Sequence, residues 1–380
     1  MQSSEIIITC LPKLSWAVAE ELKALGFPIV EEGHQSVKTE GSMVDCMRLN
    51  LQLRCANRVL FLIDSFTAVH PDHLYKRIKK MPWEQWIDPK GYLSVSSFVR
   101  HDTIRDNRFA NLRVKDAIVD RILAETSQRP DSGPDLGGTV IFLHWVESEC
   151  SLYFDTSGET ISKRGYRKNP YKAPLHESLA ASIIRATNWD GSGVFVNPMC
   201  GSGTLAIEAA LKLYNIYPGV RRRNYSFMHV NPFDHKAWQT MKEEFDTKIP
   251  SEPTTKIVAT DISGRAIEAA IKNAEAAGVD HLIEFHKCRF EGTLIPPEDG
   301  IVILNPEYGQ RMGEEEALEK TYREIGDFFK QKCSGKTGYI FTGNLNLAKK
   351  VGLRTKKRIE FLNAKLDCRL LEYELYAGGR

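Results

Sequence analysis

Hydrophobic positions in the first 160 residues alternate between the period of strands and the period of helices. Glu5–Cys10 reads as a strand. Between Leu14 and Leu25, the residues Val18, Leu22 and Leu25 recur at helical spacing, and Gly26 is placed as a C-terminal cap. The pattern then predicts a helix over Met43–Asn50, a strand over Arg58–Ser65 and a helix over His73–Lys80. Tyr92–Val99 is extended and Asn111–Glu125 helical. Residues 126–138 carry two prolines and three glycines and form a turn-rich connection. Thr139–Val146 and Glu149–Asp155 alternate like the arms of a hairpin.

Strands and helices interleaved in this way suggest small ferredoxin-like sheets of α+β type. A basic stretch follows, Ser162-Lys163-Arg164-Gly165-Tyr166-Arg167-Lys168-Asn169-Pro170, and reads as an interdomain connection. Leu175–Thr187 is an apolar helix through Leu179, Ile183 and Ile184. Beyond it the pattern becomes β–α–β–α. A strand precedes Asn197, a helix covers Thr204–Tyr214, Ile257–Thr260 is a strand, and Ser263–Ala277 is a helix ended by Gly278. Leu282–His286, Ile301–Leu304 and Thr337–Thr342 are further strands, and Tyr322–Lys332 is helical. Arg358–Phe361 and Arg369–Tyr376 close the sheet as an antiparallel pair. Such alternation predicts a doubly wound α/β sheet with its ligand in the crevice at the strand C-termini.

Composition adds bounds. A chain of 380 residues holds two or three domains, and its 42% apolar and 26% charged content is that of ordinary globular proteins. The net charge of +2 means that any basic surface is local. No apolar run approaches the ~18 residues of a transmembrane helix. Met1-Gln2-Ser3-Ser4-Glu5 lacks the regions of a signal peptide. The eight cysteines form no C-x-x-C pair, and nothing near His70 and His73 completes a metal site. The expectation is a cytoplasmic protein with reduced thiols and no metal.

Two motifs carry the chemistry, and each follows an apolar strand. In Asn197-Pro198-Met199-Cys200-Gly201-Ser202-Gly203-Thr204, the two glycines let the backbone approach a ligand, and Thr204 opens a helix whose N–H groups suit a carboxylate. Asp261, at the end of the next strand, can accept hydrogen bonds from two vicinal ribose hydroxyls, besides capping the helix that follows. The second motif is Asn305-Pro306-Glu307-Tyr308-Gly309. The nitrogen of an aromatic amine is a poor nucleophile because its lone pair is delocalised. The Asn305 side-chain oxygen and the Pro306 carbonyl can accept its two N–H bonds and favour a pyramidal nitrogen. Tyr308 can stack on a base taken out of its helix. Together the motifs suit methylation of a base nitrogen with S-adenosylmethionine.

At this point the chain resembles a known family. The order of an α+β region, Lys163-Arg164-Gly165-Tyr166-Arg167, Ala173-Pro174-Leu175, Asn197–Thr204, Asp261 and Asn305–Gly309 is similar to that of THUMP-domain RNA methyltransferases. By motif it is nearest the bacterial 23S rRNA guanine-N(2)-methyltransferase group. The hairpin with Thr156-Ser157-Gly158-Glu159 and the ending Asn363-Ala364-Lys365-Leu366-Asp367-Cys368-Arg369-Leu370 extend the resemblance over nearly the whole chain. It implies a ferredoxin-like segment over 1–60 and a THUMP domain that grips structured RNA over 61–160. A linker and helix over 161–190 and a Rossmann-like methyltransferase domain over 191–380 follow. It also implies S-adenosylmethionine as methyl donor and a guanine amine, in rRNA or tRNA, as target. Cofactor contacts fall to Asn197, Pro198, Cys200, Gly201, Gly203, Thr204 and Asp261, and base contacts to Asn305, Pro306 and Tyr308.

Three positions depart from the family pattern. Asn197 stands where Asp is usual, His286-Lys287-Cys288-Arg289 holds no acid for the adenine side, and Glu307 replaces a proline. Glu307 is either a solvent-facing loop residue or a carboxylate matching the paired N–H donors of guanine. Arg164, Arg167 and Lys168 are candidate RNA contacts at the domain connection. Arg221-Arg222-Arg223, with Tyr225 and Phe227 interleaved, and the run Lys349 to Arg358 are further basic groups, each a solvated face or a phosphate contact. Arg100, Arg105, Arg108 and Arg113 form a weaker set. The alternatives are an adenine-amine methyltransferase and an RNA-binding protein with decayed catalysis.

Overall fold

The computed structural model describes residues 3–102, 104–171, 174–187, 189–245, 255–308 and 315–376. In chain order the first elements are β1 (Ser4–Cys10), α1 (Ser15–Ala24), β2 (Glu31–Glu32), β3 (Ser36–Gly41), α2 (Met43–Gln52), β4 (Ala56–Thr67), α3 (Pro71–Lys79) and α4 (Trp83–Trp86). They continue with β5 (Tyr92–Arg100), α5 (Asn107–Thr126), β6 (Asp131–Ser132), β7 (Thr139–Val146) and β8 (Glu149–Asp155). Contacts divide the chain into two units. Unit 1 comprises Met1–Cys10, Val18–Lys163 and Pro218–Phe245, and unit 2 comprises Leu11–Ala17, Arg164–Tyr217 and Asp246–Arg380.

Unit 1 is built on β4, a strand of 12 residues. Its first half pairs antiparallel with β1, Val59 opposite Ile8 and Phe61 opposite Ile6, and Leu60 to Thr67 pair antiparallel with β8. One strand thereby joins what the sequence pattern suggests as separate small sheets. The result is a single eight-stranded sheet in the order β2-β3-β1-β4-β8-β7-β5-β6. Alternation does the rest: Ile6, Ile8, Ile141, Leu143 and Trp145 turn to the core. Helix α5 covers part of this sheet with Ala110, Val114, Ala117, Ile118 and Ile122, and starts at Asp106, whose carboxylate accepts from the Arg108 N–H.

The corner after β8 is held by buried polar groups. The Asn50 amide donates to the Cys46 carbonyl and the Thr156 hydroxyl, both at 2.8 Å, and accepts from the Ser157 hydroxyl at 2.7 Å. Those two hydroxyls bond the carbonyl and N–H of Val59 in β4.

Unit 2 opens with α6 (Glu177–Ala186), β9 (Val194–Pro198) and α7 (Thr204–Leu213). The chain then leaves it for Pro218–Phe245, which includes α8 (His235–Phe245) and belongs to unit 1. The contact grouping thus sets this segment apart from the rest of the expected 191–380 domain. The cause is aromatic: Tyr225 and Phe227 are fully buried and stack at 5.0 Å, with Trp238 edge-on to Phe227 at 5.1 Å. They are core residues and offer no stacking surface beside Arg221 and Arg223.

The remaining elements are β10 (Ile257–Asp261), α9 (Gly264–Ala277), β11 (Glu284–Lys287), β12 (Gly300–Leu304), α10 (Glu315–Lys332), β13 (Thr337–Thr342), α11 (Leu345–Lys349), β14 (Lys357–Asn363) and β15 (Leu366–Glu374). Their sheet runs β11-β10-β9-β12-β13-β15-β14. The first five strands are parallel, and β15 and β14 add antiparallel neighbours. Val194, Val196, Val258, Val302 and Leu304 form one core cluster with Tyr322, Ile325, Phe328 and Phe329 of α10. The strand order reverses at β9, where the doubly wound topology places a ligand. Among the described residues no helix is long and apolar enough to cross a membrane, and all eight cysteines are free thiols.

Replacing Asn50 with Ala leaves the buried Ser157 O–H without its acceptor and removes the bonds to the Thr156 hydroxyl and the Cys46 carbonyl. The expected loss is about 2–4 kcal/mol of unit 1 stability, read as a lower urea midpoint.

Candidate active site

Three strand ends meet at the reversal. β9 delivers the Asn197–Thr204 motif, β10 delivers Asp261, and β12 delivers Asn305–Tyr308. Pairing of β9 with β12 stops at Val196 opposite Val302, so the two strands part just before their motifs. Asn197 spans the parting: its side-chain N–H donates to the Ile303 carbonyl at 2.9 Å. The residue is only 1% exposed, and its Oδ1 is buried with no hydrogen-bond partner among the described residues.

The loop after β9 is compact and left-handed. Met199, Gly201 and Gly203 have φ of 57°, 57° and 82°. A Cβ on Gly203 would lie 2.9 Å from that of Ala270 in α9, so only glycine fits there. A Cβ on Gly201 would meet nothing within 4 Å, which leaves that side of the loop open. The Cys200 N–H continues the ladder to the Thr260 carbonyl at 2.9 Å, and burial pushes the Cys200 thiol well above its ordinary pKa, so it stays protonated. Pro198, Cys200 and Thr204 are all buried and shape the loop from behind.

Asp261 ties the motifs together. One carboxylate oxygen accepts from the Gly201 N–H at 3.0 Å, the other from the Ser263 N–H at 2.8 Å. Each oxygen keeps a second lone pair for a ligand hydroxyl. The open face at Gly201, the remaining acceptors of Asp261 and the unpartnered Asn197 oxygen fit a nucleoside cofactor such as S-adenosylmethionine.

Asn305 and Tyr308 are half-buried, Pro306 is buried and Glu307 is exposed. The Tyr308 hydroxyl donates to the Asn305 side-chain oxygen, the atom read from sequence as the acceptor of a substrate amine. Burial raises the Tyr308 pKa, which keeps the phenol a donor. Its ring meets Phe341 edge-on at 6.3 Å. Supports outside the motif hold the loop: Asn344 donates to the Tyr308 carbonyl at 3.3 Å, and Tyr322 lies 2.8 Å from the Thr342 hydroxyl and 3.5 Å from the Glu307 carbonyl. Asn344 also caps α11, and that capping position is the one sequence signal that could have drawn attention to it. Gly309 lies outside the described residues.

Two of the three basic residues expected as RNA contacts at the connection are paired with acids. The Arg164 side chain is 2% exposed and lies 3.4 Å from Glu208 of α7, itself 1% exposed. Arg167 pairs with Glu177 at 3.1 Å and donates to the Leu175 carbonyl at 2.6 Å. Buried carboxylates in two helices thus claim both guanidinium groups. Lys168 alone of the three is exposed. In the run Lys349 to Arg358, Lys350 is paired with Glu319 at 2.9 Å and Lys356 with Glu374.

A parallel sheet that reverses order at its first strand, with a glycine loop, a carboxylate and an Asn-Pro-x-Tyr turn at its strand ends, has the architecture of a Rossmann-like methyltransferase domain. A model described as the RMKL-like methyltransferase domain matches residues 164–372, one of the RlmL ferredoxin-like domain matches 5–60, and one of the THUMP domain matches 70–155. The chain belongs to the RMKL-like methyltransferase family. It is 36% identical over 368 residues to a ribosomal RNA large subunit methyltransferase K/L of Syntrophotalea carbinolica, covering 94% of this chain and 52% of that protein. The chain thus spans about half the length of that relative. It is 33% identical to a putative RNA methyltransferase of Synechocystis, covering 94% of this chain and 93% of the relative. A solved structure of a putative methyltransferase complexed with SAH matches with a TM-score of 0.87 at 25% identity, with 100% of both chains covered.

The Arg164 placement has a measurable consequence. Arg164→Ala leaves Glu208 buried without its cation and is expected to lower unit 2 stability by about 3–5 kcal/mol in urea unfolding. A role in RNA contact would instead lower RNA affinity in a salt-dependent way and leave unfolding unchanged.

Proposed function

We propose that the protein methylates the exocyclic amine of a guanine in 23S rRNA, in the cytoplasm, with S-adenosylmethionine as donor. The observation that carries this is that the glycine loop, Asp261 and Asn305 follow the C-terminal ends of the adjacent parallel strands β9, β10 and β12, with Asp261 bonded to the Gly201 N–H. The match to a THUMP domain and the similarity to a ribosomal RNA large subunit methyltransferase K/L support RNA, and the large ribosomal subunit, as the substrate.

In this reading Asn197, Pro198, Cys200, Gly201, Gly203 and Thr204 form the cofactor side, with Asp261 on the ribose. When bound, S-adenosylmethionine supplies an electrophilic methyl group. Asn305 and Pro306 accept the two N–H bonds of the target amine and keep its lone pair available. To do so, Asn305 exchanges the Tyr308 hydroxyl for the amine, which frees Tyr308 to pack on the base. Lys168, exposed beside the loop-bearing helices, serves a phosphate contact. Glu307 is exposed at the tip of the turn, where its carboxylate can accept from the ring N–H of guanine.

Incubation with labelled S-adenosylmethionine and unmodified rRNA is expected to place label in N(2)-methylguanosine. Asn305→Ala should reduce that transfer by about 10²–10³-fold while S-adenosylhomocysteine still binds. Cofactor binding with no transfer to intact rRNA or tRNA would point to an RNA-binding protein instead. Glu307→Gln is expected to lower guanine turnover about tenfold, the scale of one lost base contact. Unchanged turnover would return Glu307 to an ordinary loop position.

A further inference from the structure

Asn273 lies on the alanine face of α9, with Ala266, Ala270 and Ala274, and is 1% exposed. Both lone pairs and both hydrogens of its amide are used. Oδ1 accepts from the N–H groups of Lys168 and Asn169, each at 3.0 Å. Nδ2 donates to the Asn169 carbonyl at 3.1 Å and the Ser202 carbonyl at 3.2 Å. Ser202 stands between the two glycines of the loop after β9. One turn earlier, Ala270 touches the same loop at Gly203. Helix α9 therefore grips the loop by a steric contact and a hydrogen bond, and grips the basic connection by three more.

The connection has other anchors on these helices. The Tyr166 hydroxyl donates to Glu208 of α7 at 2.9 Å, and the Tyr171 hydroxyl to Ser263, the N-cap of α9, at 3.0 Å. Gly201 has no side chain to pack, so backbone tethers alone set its position. If a tether is lost, the loop spends less time in the binding geometry. Apparent affinity then falls in proportion to the competent fraction.

We infer that Asn273 is a positioning residue for the cofactor, holding the Gly201–Gly203 loop and the Lys168–Asn169 backbone as one rigid edge of the cofactor site. The inference rests on the cofactor reading given under Proposed function. Two substitutions in the full chain weaken the grips to different extents. Asn273→Asp keeps an acceptor for the Lys168 and Asn169 N–H groups but sets a carboxylate against both the Ser202 and the Asn169 carbonyls. Asn273→Ala removes both grips.

Calorimetric titration with S-adenosylhomocysteine is expected to show at least tenfold weaker binding for both variants, about 1.4 kcal/mol. The KM for S-adenosylmethionine should rise while kcat at saturation stays within about twofold. Native-state hydrogen exchange should show Gly201 and Gly203 less protected in both variants, and Lys168 and Asn169 less protected only in Asn273→Ala. Exchange is read on whichever variant folds, so a variant that fails to fold leaves the other to decide. A wild-type protein that does not bind S-adenosylhomocysteine overturns the cofactor reading itself. Wild-type binding, with Asn273→Asp binding within about twofold of it and unchanged loop exchange, overturns the role of Asn273.

Discussion

Backbone pairing between β9 and β12 ends at Val196 and Val302, and the catalytic half of the protein is arranged around that end. In a parallel sheet each strand normally satisfies its neighbour along its whole length. Here the chain fills the β10 and β11 side of β9 first, then crosses to β12 on the other side. The helices that follow β9 and β12 lie on opposite faces, so the strand ends diverge and leave a cleft. Asn197 supplies the hydrogen bond that the missing ladder would have made, through its side chain to Ile303. A backbone interruption thereby becomes a site without leaving that carbonyl unsatisfied.

The glycine loop after β9 and the Asn-Pro-Glu-Tyr turn after β12 are held in different ways. The loop is fixed through backbone: Asp261 takes the Gly201 N–H, Asn273 takes the Ser202 carbonyl, and Ala270 fits against Gly203. Such anchors leave the glycine surface bare for a ligand. The turn is fixed through side chains from two later elements, Tyr322 of α10 and Asn344 at the cap of α11, which reach its carbonyls. Its own two polar side chains, Asn305 and Tyr308, hydrogen-bond to each other. This pairing satisfies a polar acceptor at the cleft when no base is present.

Much of this was legible from the chain. The strand–glycine loop–helix order around Gly201, the carboxylate closing β10 and the Asn-Pro-x-Tyr turn follow from local patterns, and the structure brings them to one edge. Helix α9 was readable from its C-terminal cap, since Gly278 adopts a φ of 68°, whereas its N-cap is Ser263 and not Asp261, the residue read in that role. What escaped was set by long-range contacts. The acids that bury Arg164 and Arg167 lie on α7 and α6, so charge spacing alone read those arginines as solvent-facing. The departure of Pro218–Phe245 to unit 1 depends on where Tyr225 and Phe227 find a core. Asn273 looked like one more polar residue in a helix, because its partners are 71 and 104–105 positions away.

The shared strand of unit 1 bears on how such a protein can be taken apart or recombined. The RlmL ferredoxin-like match ends at residue 60 and the THUMP match begins at residue 70, yet β4 runs unbroken from Ala56 to Thr67. A cut placed between the two modules severs a strand that is paired on both sides. Each fragment would expose a raw sheet edge, a template for joining other chains. The two modules are therefore separate as matched families but share one sheet, and they fail as a single piece.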